Sequence, residues 1–139
     1  MRLIGVDFGF KRIGIAVAET EVRIVTPRTT IDASGTLKRD ADAIAILVRR
    51  EEASAVVLGL PIEESGEEGK MARICRLLAE HIEGNGIPVH LVDESMTSVQ
   101  ADNSLRLEGL KASQRRKLRD GEAAALILER YLDGQATLS

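Results

Sequence analysis

Cysteine, tryptophan and long apolar runs are scarce or absent in this chain, and each shortage removes a class of protein. The single cysteine, Cys75, has no partner for an internal disulfide. The two histidines, His81 and His90, have no partner at ligand spacing, which argues against a zinc site. The aromatic residues are Phe8, Phe10 and Tyr131, only 2% of the sequence. A base-stacking platform of the kind that single-strand binding modules use is therefore not expected. No run approaches the roughly 20 apolar residues that cross a membrane. The chain enters a strand at once, without the charged–apolar–small pattern of a leader. These features predict a cytoplasmic protein that makes no membrane contact.

What is present is enough for a core. With 139 residues and 44% of them apolar, the chain is expected to form one domain over residues 1–139. A chain of this size buries roughly two-thirds of its unfolded surface. The net charge of −3 argues against a generally basic nucleic-acid coat. The distribution says more than the sum. Lys111, Arg115, Arg116, Lys117 and Arg119 crowd one short stretch, with Arg106 upstream. Such a cluster can grip phosphates on an otherwise acidic protein; the plainer reading is a solvated surface loop.

Residues 2–8 and 12–18 are apolar segments joined by Gly9-Phe10-Lys11, which reads as a hairpin with Gly9 giving freedom at the turn. A third strand is expected within Val22–Ile31, broken by Pro27 and so at a sheet edge. Ala41, Ile44, Ala45, Leu47 and Val48 have helical spacing within 39–52. Ala55–Leu60 is a continuous apolar run, as in a strand buried on both faces. A Glu- and Gly-rich loop follows from Pro61 to Lys70; after Gly59-Leu60-Pro61 it could approach a phosphate, although it lacks a nucleotide P-loop pattern. A helix is expected at 70–84, with Cys75 on its apolar stripe, ended by Gly84-Asn85-Gly86. Ile87–Val92 reads as a strand leading to Asp93-Glu94, and 97–109 as a helix capped by Thr97. After the basic segment 110–119, Asp120 is expected to open a last helix to Leu132. Buried strands separated by helices predict parallel pairing, with ligands beyond the strands' carboxyl ends.

Asp7 lies inside the apolar run Leu3-Ile4-Gly5-Val6-Asp7-Phe8-Gly9. A carboxylate there is costly unless a cation compensates it. One solution is an ion pair with Lys11 or Arg12. The other is a metal. Asp93-Glu94 and Asp120 stand at the ends of other predicted elements, and carboxylates from three distant segments suit a hard cation. Each also has a plainer reading: Asp93-Glu94 as an acidic loop, Asp120 as a helix cap.

Four blocks in order carry a family resemblance. They are Gly5-Val6-Asp7-Phe8-Gly9-Phe10-Lys11-Arg12-Ile13-Gly14-Ile15-Ala16-Val17, Val57-Leu58-Gly59-Leu60-Pro61, Asp93-Glu94-Ser95-Met96-Thr97-Ser98, and Asp120-Gly121-Glu122-Ala123-Ala124-Ala125-Leu126-Ile127-Leu128. On them the chain resembles the YqgF/RuvX family, pre-16S ribosomal RNA nucleases related to Holliday-junction resolvases. The resemblance implies a ribonuclease-H-like α/β fold, a mixed five-stranded sheet with helices on both faces. It implies a nuclease whose acidic, catalytic residues are Asp7, Glu94 and Asp120; three such carboxylates can hold Mg²⁺ or Mn²⁺ as metal ligands, with Asp93 orienting them. Lys11, Arg12, Lys111, Arg115, Arg116, Lys117 and Arg119 would hold nucleic-acid phosphates. The expected partner is precursor ribosomal RNA rather than branched DNA, and a monomer rather than a dimer. A non-catalytic ribosome-assembly factor is the competing reading. The Asp7-x-Gly9 hairpin is also similar to the phosphate turn of actin-like ATPases, which need a second lobe. Departures from the family pattern are Ser95 where Arg is typical, Arg119 where Val is usual, and Glu19-Thr20 where Ser-Asp is common.

Overall fold

The computed structural model describes residues 1–94, 112–134 and 137–138, with the backbone alone for 112–119 and 137–138. Its strands are β1 (Arg2–Phe8), β2 (Arg12–Glu19), β3 (Ile24–Asp32), β4 (Ala55–Leu60), β5 (Val89–Asp93) and β6 (Thr137–Leu138). Three helices accompany them: α1 (Leu37–Arg50), α2 (Lys70–Glu83) and α3 (Ala112–Leu132). The sheet order is β3-β2-β1-β4-β5-β6. The first three strands form an antiparallel meander, and β1, β4 and β5 are parallel. The mixed five-stranded sheet expected from the sequence is present, and the two-residue β6 adds to its edge antiparallel to β5.

Strand alternation sorts the side chains into two cores. Ile4, Val6 and Phe8 of β1 face α1 and α2, together with Ile13, Ile15, Val17, Val56, Leu58 and Leu60. Leu3, Ala16, Ala18, Ala55, Val57 and Val92 face α3 instead. Helices therefore cover both faces, which is why β4 is buried at every position. The first core is built from large branched residues. The second mixes small Ala16, Ala18 and Ala55 with Leu3, Val57 and Val92, and α3 meets it with Ala124 and Ala125 beside Ile127 and Leu128. Small residues on both sides let this helix approach the sheet closely.

Several local expectations change. β3 is at the edge as expected, but it runs unbroken through Pro27, which sits opposite Ala16. Pro is tolerated there because an edge strand has N–H groups that need no ladder partner. Gly9 lacks a left-handed φ; its need for glycine is close approach, since a Cβ would lie 2.8 Å from the Arg12 carbonyl oxygen. The Gly84-Asn85-Gly86 stop holds, with Gly86 at φ 81°. The predicted helix at 97–109 lies outside the described residues.

The largest correction concerns Asp120. It does not open a helix, because α3 begins at Ala112 and carries the basic segment with it. The residues 112–119 contain good helix formers and no Pro or Gly, so helical propensity continues through Asp120. Gly121 does not interrupt it. This glycine is buried where a Cβ would sit 3.1 Å from the Arg28 carbonyl oxygen, so its lost propensity accompanies close helix–sheet packing.

Candidate active site

Asp7 is the penultimate residue of β1 and has the parity of Leu3 and Gly5, so its side chain rises on the α3 face. Glu94 follows the end of β5, with its N–H donating to the Leu60 carbonyl at 3.1 Å. It has the parity of Val92 and points to the same face. Asp120 arrives from above, on α3. Asp7 and Glu94 meet at the carboxyl ends of β1 and β5, with Asp120 near enough for its charge to act on Asp7, at the end where open α/β sheets bind ligands.

Two glycines make that convergence possible. Gly59 lies on β4, between the strands that carry Asp7 and Glu94. A Cβ on Gly59 would stand 2.7 Å from Glu94 Oε2, so the Glu94 carboxyl lies in the space this side chain would fill. Gly14 is the register partner of Asp7 on β2. A Cβ there would stand 2.2 Å from the Asp120 carbonyl oxygen, so the helix backbone touches the sheet beside Asp7. Neither position was singled out as a site residue from sequence. The available signal was a glycine inside an apolar strand, which marks close approach. Gly59 is thus a strand residue under a carboxylate, not part of a phosphate-cradling loop.

The electrostatics follow from crowding. Burial is the main cause that raises the Asp7 pKa; a hydrogen bond with Glu94 opposes it, and the charge of Asp120 adds to it. Burial also dominates at Glu94, whose pKa is pushed up to about 10, with the Asp7 charge and hydrogen bond acting in the same direction. The two carboxyls are joined by a hydrogen bond, and burial of the pair favours a proton between them. Asp93 raises Glu94 further and Arg130 opposes it; the Arg130 guanidinium donates to the Asp93 carbonyl at 2.8 Å. Asp120 is stabilised differently. Arg12 Nε donates to its Oδ2 at 2.7 Å. The plainer reading of Asp7, an ion pair with Arg12, is not what forms.

The donor set is all carboxylate oxygen, the chemistry of hard divalent ions. Asp7 and Glu94 are close enough to share a proton, and a small cation meets the same demand for positive charge. Among the described residues no group of three His, Cys, Asp or Glu side chains is gathered at ligating distance; Asp120 engages Arg12. The donors fit a divalent cation in kind, with two adjacent and the third tied by an ion pair. Lys11 is exposed at the hairpin tip. Arg115, Arg116, Lys117 and Arg119 form the helical turns before Asp120; Lys111, Ser95 and Arg106 lie outside the described residues. Cys75 is buried on α2, as expected of a core filler. No described helix is long and apolar enough to cross a membrane.

Comparisons with known sequences point to one family. The RuvX family, described as a Holliday junction resolvase, matches residues 1–134. The chain is 42% identical over 137 residues to a protein of Anaeromyxobacter sp. strain K named as a pre-16S rRNA nuclease, covering 98% of this chain and 99% of that one. A protein of the same name from Methylobacillus flagellatus is 39% identical over 136 residues, covering 97% and 92%. Among solved structures, RuvC of T. thermophilus in complex with a Holliday junction substrate superposes with a TM-score of 0.60 at 20% identity, covering 99% of each chain. That likeness establishes the ribonuclease-H-like fold.

Proposed function

This chain belongs to the RuvX family, and from that premise we propose that it is a nuclease whose acidic set is Asp7, Glu94 and Asp120. The observation that carries the reading is their convergence from β1, the end of β5 and α3 onto one face at the carboxyl end of the sheet. A phosphodiester is anionic, so a bare carboxylate cluster repels it, and a cation is needed to reverse the sign. Bound there, Mg²⁺ or Mn²⁺ supplies Lewis-acid charge for the phosphoryl oxygens and lowers the pKa of water. Asp7, fixed in the central strand, is the immobile member of the set. Glu94 reaches it across Gly59, and Asp120 closes the site from the helix. Asp93 orients the set through its place beside Glu94, Lys11 holds backbone phosphate at the hairpin tip, and the basic turns of α3 follow the strand beyond.

The substrate we favour is the precursor of 16S ribosomal RNA, acted on in the cytoplasm by a monomer. The near full-length relatives that carry this name support it. Junction resolution is the second reading, favoured by the family's description. It requires two active sites in fixed symmetric register, as in a two-fold dimer. The test is a cleavage panel with purified protein: a single-stranded ribosomal precursor mimic and a mobile four-way DNA junction, each with Mg²⁺, Mn²⁺ or chelator. Cleavage of the RNA that stops with chelator and falls at least ~100-fold in Asp7→Asn, about 2.7 kcal/mol of barrier, is the expected result. Activity that survives chelation removes the metal. Paired symmetric nicks in the junction by a stable dimer, faster than RNA cleavage, establish the second reading instead.

A further inference from the structure

Arg12 and Asp120 are 108 positions apart in sequence and joined at 2.7 Å in space. Both side chains are largely shielded, 24% and 19% exposed. We propose that Arg12 is the counter-ion of Asp120 in the metal-free protein, and that it transfers from this carboxylate to a substrate phosphate when a divalent cation binds. Metal and nucleic acid are then coupled through one side chain. This inference rests on the acidic-set reading given above.

The argument starts from charge. Asp7 and Glu94 relieve their crowding by hydrogen bonding to each other. Asp120 has no share in that bond and takes a cation from β2 instead. A guanidinium on Oδ2 and a divalent cation drawn to the same acidic cluster repel each other across a short, shielded gap. The mobile one of the two is Arg12. It is the first residue of β2, directly after the hairpin turn, so its long side chain can swing outward without any backbone change. Lys11, its neighbour, is already exposed at that rim. A guanidinium released there presents a planar fork of donors that matches two phosphate oxygens. The opposite role is a permanent clamp, in which Arg12 holds Asp120 in position for the metal. The two roles predict opposite signs for the loss of Arg12.

The test is calorimetric titration of Mn²⁺ into the full chain without nucleic acid, for the wild type, Arg12→Gln and Arg12→Lys. Release predicts that Arg12→Gln binds Mn²⁺ about tenfold more tightly, while Arg12→Lys stays near the wild type. Binding of an uncleavable phosphorothioate RNA should strengthen at least tenfold with Mn²⁺ in the wild type and under threefold in Arg12→Gln. In the wild type itself, the Arg12 Nε–H resonance should shift and lose hydrogen-exchange protection as Mg²⁺ is added, a readout that needs no variant. Equal or weaker metal binding by Arg12→Gln, or an unmoved resonance at saturating metal, overturns the transfer and leaves the metal site standing. A wild type that binds no Mn²⁺ overturns the site and the transfer together.

Discussion

Replacing Gly14 by alanine adds one methyl group where the backbone of α3 rests on β2. The new Cβ would lie 2.2 Å from the Asp120 carbonyl oxygen and 2.7 Å from its carbon, against 3.4 Å or more for ordinary contact. Neither atom belongs to a flexible side chain. The helix must therefore retreat by about 1 Å at Asp120, and it carries that carboxylate away from Asp7. A displacement of this size costs on the order of 100-fold in rate when the displaced group works in the reaction. Overpacking of this kind costs about 1–3 kcal/mol of stability, and each kcal/mol lowers the melting point by about 3–4 °C in a chain of this length. Gly5→Ala is the control. Its Cβ would meet Leu128 Cγ at 2.6 Å and the Ala124 carbonyl oxygen at 2.8 Å, on the same helix but away from the carboxylates. Both variants should melt at lower temperature, with the ~100-fold loss confined to Gly14→Ala and a loss under ~10-fold in Gly5→Ala. Initial rates on the RNA mimic, read with thermal melts, decide it. A Gly14→Ala protein that cleaves at the wild-type rate refutes the claim that this contact sets the position of Asp120.

Three further outcomes follow from the described geometry. Glu94 has an ordinary carboxyl pKa of 4.5 that folding raises to about 10, so the folded state holds the extra proton; its stabilisation is complete below about 4.5 and is lost as pH rises towards about 10. Metal-free protein should accordingly lose melting temperature across that window, and Glu94→Gln should flatten the trend; an unchanged slope in the variant rejects the assignment. Burial, reinforced by Glu94 and Asp7, pushes the Cys75 thiol up to about 12, so a thiol reagent at pH 8 should label the native protein far more slowly than the denatured one, and equal rates would show an open core. Joint replacement of Arg115, Arg116 and Lys117 by Ala should weaken nucleic-acid binding irrespective of sequence, and change the log–log salt slope by ~0.7–0.9 per lost phosphate contact; an unaltered slope would make those turns an ordinary solvated surface.

Asp7 was legible because an ionisable group inside an apolar strand is locally anomalous, and no distant information is needed to see it. The choice between Asp93 and Glu94 was not settled by spacing. It depends on which face of the sheet each addresses, and Val92 fixes that parity only once α3 is known to cover its side. Asp120 reads as a helix cap because Asp is a favoured N-cap, but helical propensity before it and the docking of α3 on the sheet carry a continuous helix through it. The pairing of Arg12 with Asp120 was invisible for another reason: neighbours in sequence offered Arg12 to Asp7, and only the packing of a remote helix brings the other partner. The order of elements was readable because it rests on periodicity within each segment; the placing of helices on both sides of the sheet rested on the family resemblance.

The dependence of the acidic cluster on α3 has a consequence for biosynthesis. Asp7 is made well before its partners, since Glu94 follows the end of β5 and Asp120 belongs to the last described helix. A nascent chain that has formed the early meander holds one member of the set, without the partners that make it useful. Its hairpin can fold while the chain is still being synthesised, since domains form from the amino end as they emerge. The acidic set proposed above is complete only once α3 docks onto Gly14. On the proposed reading, a nuclease assembled in this order stays inert until α3 docks, and is armed by its own folding.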